Sequence, residues 1–142
     1  MACKDIIYLT FSDILAVIKE VERLDALLPV PDLDGPIAII RPDAIVSILD
    51  KARNGIVFVP DLFDSATIYL RDISREHYLT NGNKRTALLS TSLFLNNNGL
   101  ALDVKEPEAA EFVQMEVVVN NMEHDDVKEW IKKHVKNLPK KS

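Results

Sequence analysis

The chain has 142 residues, 47% of them hydrophobic and 27% charged, which is ordinary for a soluble globular protein and enough for one domain, 1–142, with one real core. Its formal net charge of −5 lacks the basic footprint that nucleic-acid binding needs. No apolar run reaches the length of a membrane span.

Cys3 is the single cysteine, so an intrachain disulfide is excluded and a reducing, cytoplasmic setting is expected. Lys4 and Asp5 interrupt the start, and no signal-peptide pattern follows. The apolar run Ile6 to Leu9 predicts a strand or an extended lead-in. Thr10-x-x-Asp13 reads as a capping box, and Ile14, Leu15, Val17, Ile18, Val21 and Leu24 recur near helical spacing behind it. Residues 25–42 hold Pro29, Pro31, Gly35, Pro36 and Pro42 and predict an irregular loop. Asp43 to Arg53 gives one helical face through Ile45, Ile48, Leu49 and Ala52, and Asn54-Gly55 ends it.

Ile56 to Val59, followed by Pro60, is a short β-prone stretch whose plainest reading is a buried connector. From Asp61 a helix burying Leu62, Phe63, Ala66, Tyr69, Leu70 and Ile73 is expected to run to about Glu76-His77. The loop 78–82 follows, then a long apolar helix to Asn97, with Gly99 beyond its end. Leu100 to Val104 predicts a brief strand. Pro107 and Glu108 open another helix through Phe112, Met115, Val118 and Val119. Asp125 or Asp126 caps a last one, with Val127, Trp130, Ile131 and Val135 as its apolar face. The sum is about six helices with scraps of strand, an all-α class. Lys128, Lys132, Lys133, Lys136, Lys140 and Lys141 are the dense basic stretch, read as a solvated face and tail.

The chemistry concentrates at His77-Tyr78-Leu79-Thr80-Asn81-Gly82-Asn83-Lys84-Arg85. A helix N-terminus offers unpaired backbone N–H groups and a partial positive charge, so it attracts anions. Lys84 and Arg85 add full positive charge there, against the helix dipole, which points to a compensating anion. Arg can grip phosphate through two parallel hydrogen bonds. Gly82 lets the backbone turn and a ligand come close. Asn83 can donate to phosphate oxygens or cap the helix. His77, ahead of the cluster, titrates near neutrality and is the candidate general base; read alone it is a surface or capping histidine. His124 and His134 have no such cluster and read as structural or surface residues.

These residues resemble the signature of the Fic/Doc superfamily, His-x-Phe-x-Asp/Glu-Gly/Ala-Asn-Gly/Lys-Arg. The Doc branch, the toxins of toxin–antitoxin modules, is the nearer match: it has Lys between Asn and Arg and continues Thr-Ala-Leu, as do Lys84 and Thr86-Ala87-Leu88 here. The Fic branch has Gly at the position of Lys84 and a second Arg at that of Leu88. Asp61-Leu62-Phe63, Ala66-Thr67, Tyr69-Leu70, Leu93-Phe94-Leu95 and Asn98-Gly99 extend the resemblance loosely over most of the chain. Two positions depart from it: Leu79 stands where the family has Phe, and Asn81 where it has an acid.

The resemblance implies an all-α Fic/Doc-like fold in which Ile56 to Val59 is a flap laying the target's backbone beside the site. It implies a Doc-like kinase that uses ATP and Mg²⁺, with His77 as base, Gly82, Asn83, Lys84 and Arg85 at the phosphates, and Asn81 at the metal position. The implied target is a hydroxyl on a translation factor of the elongation factor Tu class, with growth arrest as the result. The implied partner is an antitoxin of the Phd type whose disordered tail folds into a groove. Asn81 is a weaker, neutral oxygen ligand. The nucleotide phosphates could hold the metal, Asp61 or Asp64 could substitute, or the domain could be a binding module with little catalysis. A Fic-type adenylyltransferase is the other alternative, against which Lys84 and Leu88 argue.

Overall fold

The computed structural model describes residues 5–55 and 61–139. The described residues are all-α as expected: six α-helices, a π-helical segment and one antiparallel pair of short strands. The expected flap, Ile56 to Val59, lies outside the described residues.

Helix α1 (Phe11–Ala26) starts at the capping box read from the sequence. The Thr10 hydroxyl accepts the Asp13 N–H, and the Asp13 carboxylate accepts the Thr10 N–H. Its inner face is Ile14, Val17, Ile18 and Val21. Helix α2 (Pro42–Asn54) has Pro42 in its first turn, where a missing N–H costs nothing. It ends at Gly55, whose φ of 73° is open to glycine and whose N–H reaches the Lys51 carbonyl.

Helix α3 (Leu62–Arg75) is the most enclosed element, with Ser65 to Leu70, Ile73 and Ser74 all buried. It packs most extensively on α4 (Asn83–Asn97), and Tyr69 meets Phe94 edge to face at 4.9 Å between centroids. Helices α2 and α6 (His124–Lys133) flank α3, and α1 lies on α4. Ser65 ties α3 to α2 through the Ala52 carbonyl at 2.7 Å. The Ile6 to Leu9 run is an extended lead-in with no strand partner among the described residues. Asn98 holds it by accepting the Ile7 N–H and donating to the Ile7 carbonyl, and the Tyr69 hydroxyl accepts the Leu9 N–H. Burial pushes the Tyr69 hydroxyl up to about 12.

Three expectations fail in the C-terminal third. The helix opened by Pro107 is α5 (Glu106–Phe112), and it runs straight into a π-helical segment, Val113–Val119. Because a π-turn advances by i to i+5 bonds, it rotates the apolar face out of the α-helical phase. Val113 and Val117 are buried, while Met115 and Val119 are 45% and 58% exposed. Val135 does not extend the apolar face of α6. That helix stops at Lys133, and Val135 opens strand β2 (Val135–Asn137), which pairs antiparallel with β1 (Leu100–Leu102). The β-branched side chain suits a strand better than a frayed helix end. The cap of α6 is Glu123, with Asp125 and Asp126 in the first turn.

Candidate functional site

The loop between α3 and α4 is shaped by which of its side chains go inward. Helix α3 ends as Glu76 turns to an extended ψ of 112°. Tyr78 and Leu79 then bury completely, at 0% and 2% exposed, and leave His77 and Thr80 outside. Leu79 thus fills the core position where the resembled motif has Phe. Burial pushes the Tyr78 hydroxyl well above its ordinary range, and that hydroxyl has no hydrogen-bond partner among the described residues.

The Pro/Gly-rich segment between α1 and α2 lies along this loop in antiparallel fashion. Ile39 bridges Leu79, the N–H groups of Ile40 and Arg41 reach the Tyr78 carbonyl, and the Thr80 N–H reaches the Ala38 carbonyl. Side chains complete the seam. The Thr80 hydroxyl accepts the Ala38 N–H at 2.9 Å, and Asn81 Oδ1 accepts the Asp34 N–H at 3.2 Å. The segment that reads as an irregular loop is therefore one wall of the site.

Gly82 caps α4 with a left-handed φ of 74°. The positive φ favours glycine, and a Cβ there would crowd Ile37 Cδ1 at 3.0 Å and Leu33 Cδ2 at 3.2 Å. Asn83 is not the cap. It begins the helix, and its side chain reaches back to clamp Leu79, accepting the Leu79 N–H at 3.2 Å and donating to the Leu79 carbonyl at 3.1 Å. The loop is thereby closed on itself. One Asn83 amide hydrogen remains for a ligand. No side chain caps α4, and the N–H groups of Asn83, Lys84 and Arg85 find no acceptor among the described residues. The first turn carries no acid. The field there is positive and open, as an anion site requires.

Lys84 is exposed and makes no ion pair among the described residues. Arg85 is different. Its Nη1 donates to Asp25 Oδ1 at 2.9 Å, with the arginine side chain 34% exposed and the aspartate 7%. Asp25 also accepts the backbone N–H groups of Asp32 and Leu33. Burial pushes the Asp25 carboxyl up, but the Asp32 N–H, Arg85 and the Leu33 N–H outweigh it and hold it below its ordinary value. The compensating anion expected for the Lys84-Arg85 pair is thus supplied in part from within the chain. Asp25 is the site residue that sequence reading misses, because nothing near it in the chain marks it as the partner of Arg85, sixty residues on.

The structure gathers Gly82, Asn83, Lys84 and Arg85 at the start of α4 and sets exposed His77 at the other end of the short loop. Asn81 faces the wall segment. Its oxygen is occupied by the Asp34 N–H and its amide donates to the Thr80 hydroxyl. Asp61 and Asp64, weighed as substitute metal ligands, are engaged elsewhere. They form the capping box of α3 and pair with Lys128, and Asp64 also meets His124 Nε2 at 3.0 Å. No group of three His, Cys, Asp or Glu side chains among the described residues could hold a metal ion. Magnesium commonly rests on one or two side chains together with the phosphates of its nucleotide, so a cation here would need few ligands from the chain. His124 and His134 are structural as read; His134 donates from Nδ1 to the Trp130 carbonyl at 2.7 Å.

Two known proteins are similar in sequence. Toxin Doc of Mycolicibacterium smegmatis is 33% identical over 91 residues, covering 63% of this chain and 65% of that protein. Protein kinase doc of Escherichia phage P1 is 38% identical over 71 residues, covering 50% of this chain and 55% of that one. The chain spans less than two thirds of the length of either relative. No family model matches it.

Proposed function

We propose that this chain is a Doc-type toxin of a toxin–antitoxin module and transfers the γ-phosphate of ATP to a protein hydroxyl. The observation that carries this reading is the uncapped, acid-free start of α4, whose first turn holds free N–H groups together with Lys84 and Arg85. A highly charged terminal phosphate suits so many positive groups, and phosphoryl transfer is mainly positioning plus charge neutralisation. The name of the phage relative, a protein kinase, supports the same assignment.

In the proposed reaction a target hydroxyl oxygen forms a bond to the γ-phosphorus as the bond to the β,γ-bridging oxygen breaks. His77 takes the hydroxyl proton and ADP leaves. Asn83 donates its remaining amide hydrogen, and Lys84, Arg85 and the backbone N–H groups hold the phosphate oxygens. Mg²⁺ carried by the nucleotide would neutralise phosphate charge, and Asn81, at the family's metal position, would offer it a neutral oxygen. The target class is a translation factor such as elongation factor Tu, the partner is an antitoxin of the Phd type, and the setting is the cytoplasm.

The test is incubation with Mg²⁺ and ATP labelled separately at the γ- and α-phosphates, with a cell extract as target. Label from the γ-position on one protein band is expected, and His77→Ala should lower the rate about 10²- to 10⁴-fold while ATP still binds. Label only from the α-position would replace the kinase with an adenylyltransferase. The engaged Asn81 amide favours one second reading, a nucleotide-binding module with little catalysis. For that reading neither label transfers, and Asn81→Asp restores nothing.

A further inference from the structure

Building on the kinase reading above, we infer that Asp25 is a positioning residue for the phosphate site: it aims Arg85 and at the same time pins the wall segment that closes the motif loop. Arg85 spends one terminal nitrogen on Asp25, at 2.9 Å, and its Nε and Nη2 donate to none of the described residues. A planar guanidinium held at one corner keeps a fixed orientation, and its free edge can present two parallel donors to a phosphate. A long side chain that is a third exposed would otherwise sample many rotamers and lose that freedom on binding.

The same carboxylate fixes the wall. Its two oxygens accept from Asp32 and Leu33, and the next residues carry the seam: Asp34 to Asn81, Ala38 to Thr80, Ile40 to Tyr78. Ile37 is anchored separately, its N–H donating to Glu22 one turn earlier on α1. The C-terminal turn of α1 thus sets both an arginine of the cradle and the backbone beside it. Asp25→Asn keeps an oxygen for the loop N–H groups but weakens the hold on the guanidinium, because the same oxygen accepts from Arg85 and would no longer carry charge.

The experiment is ATP binding by calorimetry on the full chain carrying Asp25→Asn, Arg85→Ala or both, with folding checked by circular dichroism and thermal melting. Arg85→Ala is expected to weaken ATP about 10- to 100-fold, the size of a lost charge-assisted hydrogen bond. Asp25→Asn should weaken it about 10-fold, and the double variant should be no weaker than Arg85→Ala alone, because the Asn oxygen still holds the wall and the lost charge acts through Arg85. The transfer rate at subsaturating ATP should fall in step with ATP affinity, which a loss of folded protein would not produce. Unchanged or tighter binding by Asp25→Asn, or additive losses in the double variant, would overturn the inference and leave the phosphate cradle standing. No effect of Arg85→Ala would remove the cradle and this inference with it. Should Asp25→Asn fail to fold, Asp25→Glu tests the same point: it keeps the charge but displaces the carboxylate, and should weaken ATP binding in the parent while adding nothing to the loss in Arg85→Ala.

Discussion

Helices α3 and α4 lie against each other, yet their N-termini are built on opposite principles. At α3, Asp61 and Asp64 form a reciprocal capping box, both acids suit the positive end of the dipole, and Lys128 and His124 of α6 close over them. The N–H groups of Asp64 and Ser65 find acceptors in Asp61, and the Asp61 N–H finds the Asp64 carboxylate. At α4, a glycine in a left-handed conformation stands at the cap, no side chain satisfies the first turn, and two cations face the positive end of the dipole. One end is capped by its own side chains; the other leaves the N–H groups of Asn83, Lys84 and Arg85 without an acceptor among the described residues, with Asp25 balancing only Arg85. The same fold builds the first arrangement one helix earlier, and this contrast within one molecule is the strongest reason to look for chemistry at Gly82 to Arg85.

Charge reversal at Lys84 should separate the two principles most sharply. Lys84→Glu puts an acid into the first turn of α4, where an acid favours the helix by about 0.3–1 kcal/mol. The same change repels phosphate and removes a cationic donor, so ATP binding should fall about 10- to 100-fold. Stability is expected to rise as ligand affinity collapses. Thermal melting and ATP titration on one preparation read both, and a variant that loses stability while keeping ATP would show that Lys84 serves the fold.

Much of this was legible before any coordinates. Hydrophobic spacing and capping residues locate the helices because those signals are local: Thr10-x-x-Asp13, Asn54-Gly55 and Gly99 all act on their own backbone. The motif residues stood out because Lys84 and Arg85 contradict the local dipole. What stayed hidden depends on distant pairs. Nothing within the segment 27–41 says that it lies along the motif loop, since its hydrogen bonds go to residues about forty positions away. Asp25 reads as one more acid until Arg85, sixty residues on, is placed beside it. The π-segment at Val113–Val119 was invisible for another reason: its sequence is a good α-helical face, and only packing reveals the shifted phase.

The capped end offers the smaller effects. Asp61→Ala removes the cap of α3 and should cost about 0.5–2 kcal/mol, the usual range for such a loss. ATP affinity should stay put, because that end serves the fold. A large drop in ATP binding by a folded Asp61→Ala would erase the distinction drawn between the two helix starts.

The smallest expected change is in acid. Burial pushes the Asp64 carboxyl up, but His124, Lys128 and the Asp61 N–H outweigh it and hold it at about 2, below its ordinary 3.8. A carboxyl held low in the folded state takes up its proton first in the unfolded chain. Its contribution is therefore whole above about pH 4 and is lost as the pH falls through about 2. Partly exposed ion pairs of this kind measure about 0.2–1 kcal/mol. Asp64→Asn should accordingly be slightly less stable at neutral pH, and its urea midpoint should fall less steeply than that of the parent between those two pH values. Parallel acid limbs would mean that the Lys128 and His124 contacts carry no net stability in solution. The order at the start of α3 would then rest on the Asp61 cap alone, and the contrast with α4 would be one of hydrogen bonding more than of charge.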